Sequence, residues 1–192
     1  MTVRVILLYP KDKTVLRAKS TYVEVFDQHT LDLIKDLKDT LNAHTDGIGL
    51  AAPQIGVNMR VVIVCLGSQD NQETRQSKLI ALVNPKIVEA GDERKDFDGC
   101  LSFPGLFGVT LRPHYLRVKG IDENGRHFNR IYSGFDAVVV HHEIDHLDGV
   151  LFIDRITSLD DLYHVYLDHK GNPIQAPLTV IAPDVTLADL VA

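Results

Sequence analysis

Cysteine is scarce in this chain of 192 residues: only Cys65 and Cys100 occur, too few for a disulfide framework. A reducing cytoplasm is therefore the expected compartment. Long apolar runs are missing too. No stretch approaches the roughly 18 residues that a membrane-spanning helix needs, so no membrane partner is expected. The opening MTVRVILLYP is apolar but short and lacks a small-residue cleavage site, which speaks against a signal peptide. A basic excess is also absent. Lys and Arg number 20 against 26 Asp and Glu, a net charge of -6, which argues against a general nucleic-acid binder. Neither an internal repeat nor a low-complexity tract occurs. What remains is 45% apolar and 24% charged, the composition of a soluble globular protein. A chain of this length can bury a useful core, and residues 1–192 are read as a single domain.

Coarse structure follows from periodicity. Residues 27–44 carry Leu31, Ile34, Leu37 and Leu41 at three-to-four spacing, the signature of an amphipathic helix, with Thr30 as its expected N-cap. The β-branched run MRVVIVCL (59–66) predicts a buried strand, in which Cys65 is an ordinary small core residue. The polar stretch 67–78 predicts an exposed loop. Next, LIALVNPKIVEAG predicts a strand broken at Asn84-Pro85, and LRVKGIDENGRHFNRIY a hairpin turning at Asn124-Gly125.

One short stretch concentrates ionisable groups. HHEIDHLDG (141–149) directly follows the apolar run Val138-Val139-Val140. Ser133, with Asp136 three residues on, predicts a capped helix start, and Gly149 predicts its end. At about 100° per residue, Phe135, Val138, Val139, His142 and His146 share one stripe. A single core histidine satisfied by hydrogen bonds would be unremarked. Two stacked imidazoles on a buried face cost desolvation unless something binds both. The stretch also contains HEIDH, a match to H-E-x-x-H, in which the histidines hold a metal and the glutamate is a general base. Glu143 falls about 60° from His146, close enough to flank an ion without ligating it. His141 falls about 140° away and points off that face. Asp145 and Asp148 are expected to be solvated or capping groups.

A third ligand is still required. Cys100, in DGCLS (98–102), supplies a thiolate, and one thiolate with two imidazoles leaves a tetrahedral position open, as in a catalytic site. An ordinary buried thiol is the simpler alternative. GIGLAAPQIG (47–56) packs small residues closely enough for another backbone to approach, although a tight loop explains it equally.

In this order, GIGLAAPQ, DGCLS and HHEIDHLDG resemble peptide deformylase, the metallohydrolase that removes the formyl group from N-terminal formylmethionine. The family patterns are GxGLAAPQ, EGCLS and QHExDHLxG, and the resemblance runs to about residue 156. Asp98 stands where Glu is usual and His141 where Gln is usual. Phe107 lies in a loop that commonly carries a basic residue. Residues 157–192, with a turn at DHKGNP and a strand-like LTVIAP, match no family element.

The resemblance implies an α+β fold with antiparallel sheets around a central helix carrying HExxH. It implies that Cys100, His142 and His146 hold one divalent metal. Ligand chemistry alone favours zinc, but the family makes Fe(II) the expected ion, with Zn, Ni or Co as substitutes. Glu143 would move the proton, and Gln54 and the Leu101 N–H would hold the oxyanion. Gly49 and Ile48 resemble the strand that pairs with the substrate backbone, and Phe135, Val138 and Val139 would line a methionine pocket. The implied partners are the formylated N-termini of nascent polypeptides, with the ribosome beyond them. Two other readings stand beside this one: a different zinc peptidase or amidase, and a relative that binds formylated peptides without turning them over. Asp98 is expected either to pair with Arg112 or merely to open a turn with Gly99.

Overall fold

The run Val61–Cys65 is apolar at every position because both of its faces are covered. In the computed structural model, which describes residues 2–67, 79–167, 170, 172–182, 184 and 186–191, this run is β2. Its odd positions Val61, Ile63 and Cys65 pack with Leu33, Ile34, Leu37 and Leu41 of helix α2 (Gln28–Ala43). Its even positions Val62 and Val64 pack with Ala137, Val140, Ile144 and Leu147 of helix α3 (Phe135–Leu147). The amphipathic helix is therefore present, with two corrections. Asp27, not Thr30, is the cap, accepting the Thr30 N–H at 3.2 Å. Leu31 is exposed, and Leu33 takes its place in the core.

Among the described residues the strands pair only antiparallel, and the one parallel bridge, Thr21 with Met59, lies outside them. β1 (Gly49–Ala51), β2, β3 (Leu79–Gly99), β4 (Leu106–Ile121), β6 (Leu162–Leu167) and β7 (Pro173–Pro177) follow one another across the sheet, and β5 (His127–Ser133) branches from β4. The α+β expectation holds, although the expected sheets are one continuous sheet around α3. The hairpin β4–β5 turns over residues 122–126, where Asp122 Oδ1 accepts the N–H groups of Asn124 and Arg126 at 2.9 Å each. Asn84-Pro85 does not break β3. The register slips between Val83 and Lys86, because proline cannot donate to the ladder. The Asn84 amide bonds both backbone groups of Val23 instead, at 2.9 and 2.8 Å.

Helix α3 starts differently from the sequence expectation. Ser133 ends β5, Gly134 takes the N-cap position at φ 58° with no side-chain cap, and Asp136 accepts the Gly67 N–H at 3.0 Å. Its end is as expected. Gly149 has φ 73°, and a Cβ there would lie 2.2 Å from the Arg17 carbonyl oxygen, so only glycine fits.

A third cluster of Leu16, Phe103, Leu151, Phe152, Ile153, Ile156 and Leu162 joins the chain after α3 to the loop after β3. Leu178 and Leu190, from the short helices α4 (Leu178–Ile181) and α5 (Leu187–Val191), pack against it. Leu178–Ile181 is thus helical, not strand-like. Of the expected loop at 67–78, residues 68–78 lie outside the described residues, as does half of the expected turn at 168–173. The short helix α1 (Lys13–Leu16) contributes Leu16.

Candidate metal centre

Helix periodicity brings His142 and His146 to one side of α3, with ring centroids 5.0 Å apart. The loop between β3 and β4 carries Cys100 over them, its Sγ 3.2 Å from His146 Nε2. The ligand atoms of Cys100, His142 and His146 all lie within 4.8 Å of one another. One soft thiolate and two imidazoles are a fitting donor set for a first-row divalent ion, with bonds of about 2.0–2.3 Å. Both histidines are buried and Cys100 is half-buried.

Each imidazole is held differently. His142 Nδ1 donates to Asp98 Oδ1 at 2.8 Å, so its Nε2 is the atom turned to the ligand set. Such a carboxylate behind a ligating histidine fixes its tautomer and ring orientation. Burial pushes the His142 pKa down, but the adjacent Asp98 charge outweighs it and the net shift is strongly upward. For Asp98, burial pushes up, and His142 and Arg112 together pull its carboxyl well below the usual range. His146 Nδ1 is buried without a hydrogen-bond partner among the described residues. Burial and the neighbouring His142 hold its pKa well below the usual value.

Behind Asp98 lies an ionic network. Arg112 is fully buried. Its Nε donates to Asp98 Oδ2 at 2.7 Å and its Nη1 to Asp145 Oδ2 at 2.8 Å. Thr110 Oγ1 also donates to Asp98 Oδ2, at 3.0 Å, and Arg155 Nη2 closes the network on Asp145 Oδ1 at 2.7 Å. The Asp98–Arg112 pair is therefore present. Asp145, expected to be solvated, is buried in this network, whereas Asp148 is partly exposed and pairs with Arg60 at 2.7 Å. His141 does point off the ligand face, but its Nδ1 accepts from Arg112 Nη1 at 2.7 Å. Burial, chiefly, lowers the His141 pKa to about 4, so the ring is neutral.

The candidate ligand set opens onto a cleft of about 710 Å³. Cys100, His142, Glu143, Gln54, Leu101, Ile48, Gly49, Phe135, Val138 and Val139 all line it. Glu143 is 5% exposed, its Oε2 has no hydrogen-bond partner among the described residues, and burial raises its pKa to about 7. The carboxylate packs directly on β1: a Cβ on Gly49 would lie 2.2 Å from Glu143 Oε1. Gln54 is fixed by the Ala51 N–H, which donates to its Oε1 at 2.8 Å. Its Nε2 faces Cys100 Sγ at 3.4 Å and Ser102 Oγ at 3.2 Å.

Residues 3–161 match the family described as polypeptide deformylase. The chain belongs to the polypeptide deformylase family. Among its relatives, a peptide deformylase of Thermomicrobium roseum is 40% identical over 150 residues, covering 78% of this chain and 85% of that protein. Peptide deformylase 1 of Bacillus subtilis is 39% identical over 158 residues, covering 82% and 92%. Solved deformylase structures share the fold. That from Ehrlichia chaffeensis in complex with actinonin has a TM-score of 0.73 at 33% identity, covering 82% of this chain and 91% of that one. That from Thermotoga maritima has 0.72 at 33% identity, covering 82% and 100%.

The motif residues thus meet in one cleft, and Phe135 sits at its rim, 43% exposed. Sequence reasoning missed Thr110, Asp145, Arg155 and the contact between Asp98 and His142. A signal was available for the last: a ligating histidine requires an acceptor for its second nitrogen, and Asp98 lies in the same DGCLS segment as Cys100, the candidate third ligand.

Proposed function

We propose that the chain hydrolyses the N-formyl group from the N-terminal formylmethionine of newly made polypeptides, releasing formate. The supporting observation is the convergence of the Cys100, His142 and His146 ligand atoms beside a buried Glu143 carboxyl whose Oε2 has no hydrogen-bond partner among the described residues, all in one cleft. Cys100, His142 and His146 would hold the metal, which when bound polarises an oxygen and acidifies water at neutral pH. Glu143 takes the proton of the attacking water and returns it to the departing amine, a task suited to a carboxyl lifted to about 7. Gln54 Nε2 exchanges one of its long contacts for the oxyanion, and the Leu101 N–H supplies a second donor. The substrate backbone adds to β1 along Ile48 and Gly49, with its methionine side chain against Val138, Val139 and Phe135.

Fe(II) is the ion we assign in the cell. Protein purified without oxygen should be more active than protein purified in air, and cobalt or nickel should give a stable substitute. Equal activity in air at full zinc occupancy would overturn that assignment. Residues 157–192 belong to the same domain in this reading, since β6 extends the sheet at Leu106–Gly108. Formylated nascent chains, met at the ribosome in the cytoplasm, are the expected partners. Formate release from a formyl-Met peptide is the direct test. An acetylated peptide and a longer unformylated peptide serve as controls. Cleavage of the unformylated control would instead indicate a peptidase, and binding without formate release would indicate a non-catalytic relative.

A further inference from the structure

Strand alternation on β3 sends Asp98 into the ionic network and its neighbours Phe97 and Gly99 to the opposite face, where both line the cleft. Across the ladder Gly99 pairs with Phe107. The Phe107 ring lies over that glycine, for a Cβ there would come within 2.6 Å of Phe107 Cδ1. Phe97 stacks on Phe107, with centroids 5.5 Å apart and ring planes 15° from parallel. Phe97 remains 49% exposed. The two rings form an apolar shelf beside Gly99, the residue before the candidate ligand Cys100.

We propose that this Phe97–Phe107 shelf binds the side chain of the second or third residue of the formylated peptide, and selects apolar or aromatic groups there. The proposal rests on the deformylase reading above. A formyl group ends the substrate on one side of the scissile bond, so methionine and the residues after it must fill the cleft of about 710 Å³. An extended peptide paired with β1 projects its side chains to alternate sides. Val138 and Val139 take the methionine, and the shelf is a separate surface on the β3–β4 side of the same cleft. The rings offer stacking area and no polar atom. An apolar or aromatic side chain therefore gains contact there, whereas a charged one loses water without gaining a partner.

The test uses metal-loaded protein and formyl-Met tripeptides varied at position two or three through Phe, Leu, Ala, Lys and Asp. Phe or Leu at one of these positions should raise kcat/KM over Ala by roughly three- to tenfold. The gain should appear in KM, with Asp and Lys at or below Ala. Phe97→Ala, and separately Phe107→Leu, which keeps a cover over Gly99, should move the Phe-to-Ala ratio toward one. Being a ratio within each variant, it is insensitive to a general loss of folded protein. A wild-type ratio within twofold of one at both positions, or an unchanged ratio in both variants, would overturn the shelf. No formate from any of the peptides would overturn the deformylase reading itself, and the shelf with it.

Discussion

On the side of α3 that faces β4, Arg112 is fully buried and its guanidinium meets Asp98, Asp145 and His141 at 2.7, 2.8 and 2.7 Å. On the cleft side, Glu143 is nearly as buried, yet its Oε2 has no hydrogen-bond partner among the described residues. The same helix thus carries one flank in which two carboxylates are matched by two guanidiniums, and one in which a carboxyl is left unmatched. A matched flank holds geometry. An unmatched buried carboxyl is unstable as a charge, which is why its pKa rises to about 7 and why it is suited to moving protons. His142 joins the flanks, with Nδ1 on Asp98 and the rest of the ring in the candidate ligand set.

The cleft flank breaks most completely at Cys100. Cys100→Ala should remove the bound metal and formate release together, which elemental analysis and a turnover assay on the same sample check. Retained stoichiometric metal would contradict the ligand assignment. Glu143→Gln is next in size. The amide keeps the shape against Gly49 but cannot take a proton, so metal content should persist while the rate falls by about 10²–10⁴-fold. Near-normal turnover by the metal-loaded variant would remove Glu143 from the mechanism.

The matched flank should fail differently. Asp98→Asn leaves Arg112 short of a charge and weakens the anchor of His142. Loss of such an outer partner typically costs about 10–100-fold in metal affinity or activity. Leaving a buried charge uncompensated costs about 3–5 kcal/mol of stability. Arg112→Ala should produce a similar pair of losses. Because both residues act in one network, the double variant should be little worse than the worse single one. Chelator competition and denaturant unfolding read the two effects separately. Additive losses would show that Asp98 and Arg112 act independently.

The difference between the flanks also decides what could be read in advance. HEIDH at helical spacing, the thiol of DGCLS and the glycines of GIGLAAPQ are local patterns, and the residues they name meet in the cleft. Strand β2 was equally plain, because a run apolar at every position must be covered on both faces. The network was legible only at the Asp98–Arg112 pair. Asp145 and Arg155 belong to α3 and to the turn after it, and only the tertiary fold brings them onto a guanidinium from β4. Polar residues such as Asp145 look solvated until a buried partner is known. The start of α3 was misread for a related reason. Ser133 is a good cap in isolation, but the ladder with Tyr115 holds it in β5. For residues 178–181 an apolar, β-branched tetrapeptide was simply ambiguous between strand and helix.

The smallest effect is expected at His141, and it sharpens the comparison most finely. Its ring is part of the matched flank, accepting from Arg112 Nη1 at 2.7 Å, with Asp145 Oδ2 at 3.5 Å. A glutamine side-chain oxygen can accept the same bond, so His141→Gln should change the rate near neutral pH by no more than about threefold. A large gain would mean instead that His141 tunes the cleft away from ordinary deformylation. The pH dependence of stability separates the two residues further. Burial lowers the folded pKa of His141 to about 4 from an ordinary 6.5. Between those values the unfolded chain binds more protons than the folded one, so this residue makes stability fall as pH drops from 6.5 toward 4. Glutamine does not titrate. The variant should therefore lose less stability than wild type over that window, while the other titrating groups, present in both proteins, cancel in the difference. Unfolding midpoints measured side by side at pH 7.5 and pH 5 give the answer. Identical pH slopes would mean that His141 takes up its proton as readily in the folded protein as in the unfolded chain, so that burial and the bond from Arg112 do not hold its ring neutral over that window.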